Sequence, residues 1–255
     1  MAGAQSSFVW YELMTTDVAA AKAFYAGVVG WNTLDVPMPG MTYTLLRVED
    51  TQTAGLMALP QEAGDAGMRP VWVGYVSVGD TDGATAKVQG LGGDILGRPV
   101  DIPTVGSFVS VTDPQGALIN LFIPAQSGQR SVSSEPGHIG WHELHTNDWP
   151  QAFAFYADMF GWVKGEALDM GPMGTYQIFK SAGLATGGMF NSPGARAAPF
   201  WLYYFNVDDI DAAAKRVTEG GGVIAQGPNQ VPGGNWILQA ADPQGAVFAL
   251  SGPKK

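Results

Sequence analysis

The sequence predicts an α+β protein: two tandem βαβββ-containing modules with mixed, mainly antiparallel sheets. Three observations predict it. The pentapeptide DPQGA occurs at Asp113–Ala117 and again at Asp242–Ala246, 129 residues apart, each time before an apolar run. Other matches keep their order at nearly the same spacing. Trp10, Glu12 and Leu13 match Trp141, Glu143 and Leu144, and Phe24-Tyr25 matches Phe155-Tyr156, all 131 apart. Thr42-Tyr43 matches Thr175-Tyr176 at 133, and Trp72 matches Trp201 at 129. Finally, both halves alternate short apolar strands, Asp-capped helices and Gly/Pro turns. Offsets that drift by a few residues inside turn-rich segments are what duplication with loop insertions leaves behind.

Each element has a local reason. The module boundaries expected are 8–124 and 138–252, with the polar segment 125–137 (AQSGQRSVSSEPG) as a linker. FVWYELM and HIGWHELH open the modules as strands. A helix follows each, capped by Asp17 or Asp148, with Phe-Tyr on its apolar face and Gly30 or Gly161 at its end. TYTLLRV with AGLMAL, and TYQIFKS with TGGMF, give two further strands. VWVGYVSV and FWLYYFNV form the next, each entering a second helix capped by Asp80 or Asp208 and closed by Gly-Gly. A hairpin turning at DPQG ends each module, so DPQGA reads first as a turn.

Composition narrows the function. Hydrophobic residues make up 46% and charged residues 14% of the 255, which describes a folded chain with a sizeable core. A net charge of −10 with no Lys/Arg cluster argues against nucleic acid and anionic membrane surfaces as partners. With no cysteine, thiolate metal sites, disulfides and a Cys nucleophile are excluded. MAGAQSSFVW does not have the form of a secretory leader, and no apolar run approaches a membrane span, so a cytoplasmic protein, monomer or homodimer, is expected.

The Asp-capped helix with FY…GW, the V.D before a helix ending in GG, and DPQG before a last strand together resemble the vicinal oxygen chelate superfamily. That group includes glyoxalase I, bleomycin resistance proteins and extradiol dioxygenases. The resemblance covers both modules and implies sheets curved into cups with a small organic ligand in the mouth. It also implies four metal-ligand positions per cup. Here these fall on Trp10, Met57, Val73 and Asn120, and on Trp141, Met189, Leu202 and Ala249. Indole, valine, leucine and alanine offer no lone pair to a divalent ion, thioether is a poor ligand, and only Asn120 could donate weakly. No metal and no cofactor is therefore expected at these positions.

Strand alternation then says what fills the cups. Trp10, Glu12 and Met14 share a face, as do Trp141, Glu143 and His145; Tyr75, Tyr204 and Asn120 join them from later strands. An apolar, aromatic lining with one carboxylate suits a small, partly apolar organic molecule. Glu12 and Glu143 are the candidate acid–base residues; the other reading is that each accepts hydrogen bonds and fixes a module interface. Trp10, Met14, Tyr75, Asn120, Trp141, His145 and Tyr204 are the candidate ligand-binding residues. Glu143 with His145 could also form half of an atypical metal site. Three classes stay open: a lyase or isomerase using a Glu, a sequestering protein, and a metal-dependent lyase or dioxygenase with relocated ligands.

Overall fold

A computed structural model describes residues 6–38, 40–125, 133–192 and 198–255. The first module runs β1 (Phe8–Thr15), α1 (Val18–Val29), β2 (Asn32–Met38), β3 (Met41–Val48), β4 (Thr51–Ala58), α2 (Gln61–Asp65), β5 (Val71–Ser77), α3 (Thr81–Gly90), β6 (Asp94–Ile95), β7 (Val100–Ile102), β8 (Gly106–Thr112) and β9 (Leu118–Pro124). The second runs β10 (Ile139–Thr146), α4 (Trp149–Phe160), β11 (Val163–Asp169), β12 (Thr175–Ser181), β13 (Leu184–Asn191), β14 (Phe200–Asn206), α5 (Ile210–Glu219), β15 (Val223–Gln230), β16 (Trp236–Ala241) and β17 (Val247–Gly252), with one 3-10 turn at Gly171–Met173. The fold is α+β, in two tandem modules with mixed strands.

The main helices start and stop as the sequence dictates. Asp17 accepts from the Ala20 amide and Asp148 from the Gln151 amide, while Gly30 and Gly161 end the helices in the left-handed conformation that glycine adopts without steric cost. Two corrections apply. The cap of α5 is Asp209, which accepts from the Asp211 amide, and not Asp208. Strands β2, β11, β6, β7 and β15 were not anticipated. Four of them, β2, β11, β7 and β15, are mostly exposed, so no apolar alternation marks them, and β2 carries Pro37, as edge strands tolerate.

The chain separates into two compact units that cut across the repeat. One comprises Met1–Val9, Gly74–Ser131 and His142–Trp201; the other comprises Trp10–Val73, Val132–Trp141 and Leu202–Lys255. The first unit holds the strand sets β5-β9-β8-β6, with β7 also on β8, and β11-β12-β13-β10. Its core gathers Tyr156, Trp162, Trp201 and Phe179, with Trp162 stacked on Phe179 at 4.4 Å between centroids. The second unit holds β2-β3-β4-β1 and β14-β17-β16-β15, around Tyr25, Trp31, Trp72, Phe205 and Phe248. Each ring pair adds about 1 kcal/mol beyond its burial. The pairings β1/β4, β10/β13, β5/β9 and β14/β17 are parallel, because a helix and further strands intervene between the partners.

Each unit is tied by the aspartate of one module and the helix of the other. Asp113 Oδ1 accepts the amides of Gln115 and Ala117, closing the DPQG turn, and Asp113 Oδ2 accepts from the Tyr156 hydroxyl at 3.1 Å. Tyr156 in turn accepts from Trp201 Nε1 at 3.0 Å. The copy in the other unit is Asp242, Tyr25 and Trp72, at 3.1 and 2.8 Å. Burial drives both carboxyls above their usual range, and the backbone hydrogen bonds oppose it. Burial also lifts the Tyr25 hydroxyl well above its ordinary value. The repeated DPQGA is thus a turn and a buried anchor.

The expected linker lies largely outside the described residues. Its last part is held in place: Asn206 Nδ2 donates to the Ser133 carbonyl at 2.7 Å, and Trp31 Nε1 to the Gly137 carbonyl at 2.6 Å.

Candidate functional site

Glu12 lies in β1 directly beside Gly55 of β4, and Glu143 in β10 directly beside Gly188 of β13. Both carboxylates are buried, 8% and 6% exposed. The glycine gives each carboxylate an open flank, and a tyrosine from the next strand lies across it. A Cβ on Gly55 would overlap the Tyr43 ring, and one on Gly188 the Tyr176 ring. Neither glycine has a positive φ, so space and not backbone conformation demands it. Laid across the gap, Tyr43 donates to Glu12 Oε2 at 2.8 Å and Tyr176 to Glu143 Oε2 at 3.0 Å.

The copies differ in the side chain two residues further along the strand, Met14 in module one and His145 in module two. In module one Trp10 Nε1 donates to the Tyr43 hydroxyl at 2.9 Å, giving an indole–phenol–carboxylate chain. Burial first, then the charge of Glu12, push the Tyr43 hydroxyl far above its ordinary value, so it stays a donor. In module two His145 Nε2 lies 2.9 Å from Glu143 Oε1, with side chains 12% and 8% exposed. A carboxylate only accepts, so Nε2 carries the proton when Glu143 is ionised, and neutral His145 then has its lone pair at Nδ1. His145 stacks on Phe200 at 4.4 Å and meets the edge of Phe190 at 4.7 Å.

The remaining candidates are placed individually. Met14 pairs with Met57 across β1 and β4, and is partly exposed like Trp10 and Trp141. Tyr75 is buried, edge-on to Phe108 and Phe122. Tyr204 accepts from Gln239 Nε2 at 3.2 Å. Asn120 is 3% exposed, and its Oδ1 has no hydrogen-bond donor among the described residues. The structure brings Trp10 to Glu12 through Tyr43, and His145 to Glu143. Tyr43, Tyr176, Gly55, Gly188, Phe190 and Phe200 were not singled out by the sequence reading. The signal for the tyrosines was present, since Thr-Tyr is repeated at Thr42-Tyr43 and Thr175-Tyr176.

The metal positions implied by the family resemblance do not fit a metal. Register puts Phe190, and not Met189, at the place of Met57, because Met57 pairs with Met14 and Phe190 with His145; Met189 is fully buried on the other face. The sets are then Trp10, Met57, Val73 and Asn120, and Trp141, Phe190, Leu202 and Ala249. One amide oxygen is the sole hard donor among eight side chains, too few for a divalent ion. Among the described residues no group of three or more His, Asp or Glu side chains gathers elsewhere. A second histidine, His142, is fully buried: it stacks on Phe8 and its Nδ1 donates to the Thr186 carbonyl at 2.7 Å.

The model of the glyoxalase/bleomycin resistance protein/dioxygenase superfamily matches residues 7–121 and again 136–250. "Putative glyoxylase CFP32" of Mycobacterium tuberculosis is 31% identical over 246 residues, which cover 96% of this chain and 94% of that protein. The anthracycline biosynthesis protein DauV of Streptomyces sp. is 29% identical over 252 residues, covering 94% and 91%. Among solved structures, the Mn(II)-bound glyoxalase from Novosphingobium aromaticivorans superposes with a TM-score of 0.66 at 18% identity, covering 99% of this chain and 83% of that one. An extradiol ring-cleaving dioxygenase from B. fuscum does so at 0.68 and 17%, covering 100% and 74%. At such identities the superpositions speak to the fold alone.

Proposed function

Because the chain belongs to the glyoxalase/bleomycin resistance protein/dioxygenase superfamily, we propose that it binds a small, partly apolar organic molecule and moves a proton on it with Glu143 and His145, without a metal at the family's usual positions. The observation that carries this reading is the Glu143–His145 pair at 2.9 Å, nearly buried yet not sealed. With Nε2–H donated to Glu143, the pair supplies one base, the lone pair at His145 Nδ1, and a carboxylate that orients the ring and steadies the proton it takes, at about 10²–10⁴-fold in rate. Tyr176 fixes the second carboxylate oxygen and so the orientation of Glu143. The reaction class is a lyase or isomerase step that starts from proton abstraction. The donor chemistry at the metal positions supports a metal-independent route.

A second reading has its own observation. In module one the phenol of Tyr43 both donates to Glu12 and accepts from Trp10, a chain that holds shape and carries no histidine. That arrangement suits binding without turnover, so module one supports a sequestering role.

The experiment is turnover of small carbonyl and phenolic compounds by protein stripped with a chelator. Glu143→Gln keeps the shape and removes the carboxylate that orients and charges the imidazole. The expected result is retained binding with turnover reduced by orders of magnitude. Equal turnover by Glu143→Gln, or activity that returns only on adding zinc, nickel, manganese or iron, overturns the reading.

A further inference from the structure

We infer that module one holds a soft monovalent cation, copper(I), on the thioethers of Met14, Met38, Met41 and Met57. The site lies wholly in module one and does not depend on Glu143 or His145. All four methionines stand on one face of the β2-β3-β4-β1 strand set, the face of Glu12 and Tyr43. Met14 pairs with Met57 across β1 and β4, two residues on from the Glu12–Gly55 pair. Met38 pairs with Met41 across β2 and β3, two residues from the Val36–Tyr43 pair. Residues two apart along a strand share a face. The Thr44–Leu56 pairing puts Tyr43 opposite Met57, so Met41 is the diagonal neighbour of Met57, about 7–8 Å away and within reach of two long side chains. The Tyr43 ring leans over Gly55, towards Glu12 and away from Met41.

Filling space does not explain the choice of methionine. The chain has 10 methionines, and four of them stand on this one face. Among the described residues the buried core takes Met159 and Met189 alone, beside many Leu, Val, Phe and Trp side chains. The four on the sheet face are half-buried, where leucine would cover the strands equally well. What sulfur adds is a polarisable lone pair, a ligand that selects soft ions such as copper(I) over hard ones. The repeat points the same way. At the four matching places module two has His145, Met170, Gly174 and Phe190, one thioether in place of four. The cluster is therefore particular to module one and is not imposed by the fold. Glu12, two residues before Met14 on the same face, sets a carboxylate near the cation, and the net charge of −10 favours a cation over the whole chain. Of the family's metal positions only Met57 takes part, so a divalent ion is still not expected there.

The test uses full-length protein isotope-labelled at the methionine methyls and titrated with silver(I), the air-stable counterpart of copper(I), with zinc(II) as the control. In heteronuclear NMR the methyl signals of Met14, Met38, Met41 and Met57 are expected to shift together and to stop moving at one silver ion per chain. Met170 and Met173, both exposed, are expected to stay in place, and zinc(II) to move none of the signals. Met57→Leu keeps the apolar bulk and removes one sulfur; it is expected to weaken silver binding about tenfold. Leucine at all four positions is expected to abolish binding, and the single variant keeps the test usable if the fourfold one does not fold. Copper(I), added without oxygen, is expected to displace the silver. No methyl shift, shifts confined to Met170 and Met173, or an equal response to zinc(II) overturns the inference. So does unchanged affinity in Met57→Leu, or bound silver that copper(I) fails to displace.

Discussion

Replacing Gly188 by alanine should cost about 3 kcal/mol, although alanine normally favours a fold over glycine at an ordinary backbone position by about 0.4–1 kcal/mol. The reason is the tyrosine that crosses it. The added methyl would stand 2.5 Å from the Tyr176 hydroxyl and closer still to its ring, whereas a relaxed contact needs about 3.5 Å. The hydroxyl must withdraw by about 1 Å, and its 3.0 Å bond to Glu143 does not survive that shift. Loss of a hydrogen bond to a carboxylate costs about 1.5–3 kcal/mol, and overpacking about 1–3 kcal/mol. Subtracting the gain in the unfolded chain leaves about 3 kcal/mol. Urea denaturation followed by tryptophan fluorescence measures it, and a double-mutant cycle isolates the cause. In a Tyr176→Ala background the same glycine change should cost nothing or stabilise slightly, a coupling of about 3 kcal/mol. If Gly188→Ala costs the same in both backgrounds, the tyrosine does not need the glycine and the account of the site is wrong.

Three further outcomes are expected. Tyr156→Phe removes the donor to Asp113 and the acceptor for Trp201, a loss of about 3 kcal/mol that should lower Tm by about 6–12 °C in calorimetry; Tyr25→Phe should match it in the other unit. Burial holds the His142 imidazole down to about 4, against an ordinary 6.5. The folded state therefore refuses a proton that the unfolded chain accepts, so this stability is whole above pH 6.5 and falls by about 3 kcal/mol as pH drops to 4; His142→Asn should flatten that limb of a stability–pH curve. Tyr25 and Tyr43 are raised by burial, so their contribution is whole below pH 10 and lost above it, and their phenolate absorbance should rise only together with unfolding.

Much of the fold was legible because duplication prints it twice. Two copies of a capped helix, a Gly-Gly stop and a DPQG turn fix elements that one copy would leave ambiguous. The strands that escaped, such as Asn32–Met38 and Val163–Asp169, are edge strands whose residues are mostly exposed, and exposed strands carry no alternation to read. Sequence alone points to Asp208 as the cap because two aspartates stand together, and only geometry decides for Asp209. At the candidate site, alternation puts Glu143 and His145 on one face of one strand, two residues apart, as the structure does. It could not find Tyr43 or Tyr176. Their partners come from neighbouring strands, and the match of a tyrosine to a glycine one strand over depends on register, which no single segment encodes.

The two aspartate–tyrosine ties look alike in space and differ greatly along the chain. Asp113 and Tyr156 are 43 residues apart, whereas Tyr25 and Asp242 are 217 apart. Closing the longer loop costs roughly 1.4 kcal/mol more in chain entropy. During synthesis from the N-terminus, the first tie becomes available once the second module's first helix and its Trp201 strand have emerged. The second must wait for the last turn of the protein, with Tyr25 and Trp72 held back until then. Identical hardware is thereby closed in a fixed order, early in one unit and last in the other. A truncation that removes only the final strand and its turn would leave the early unit with every atom of its tie and deprive the late one of its keystone.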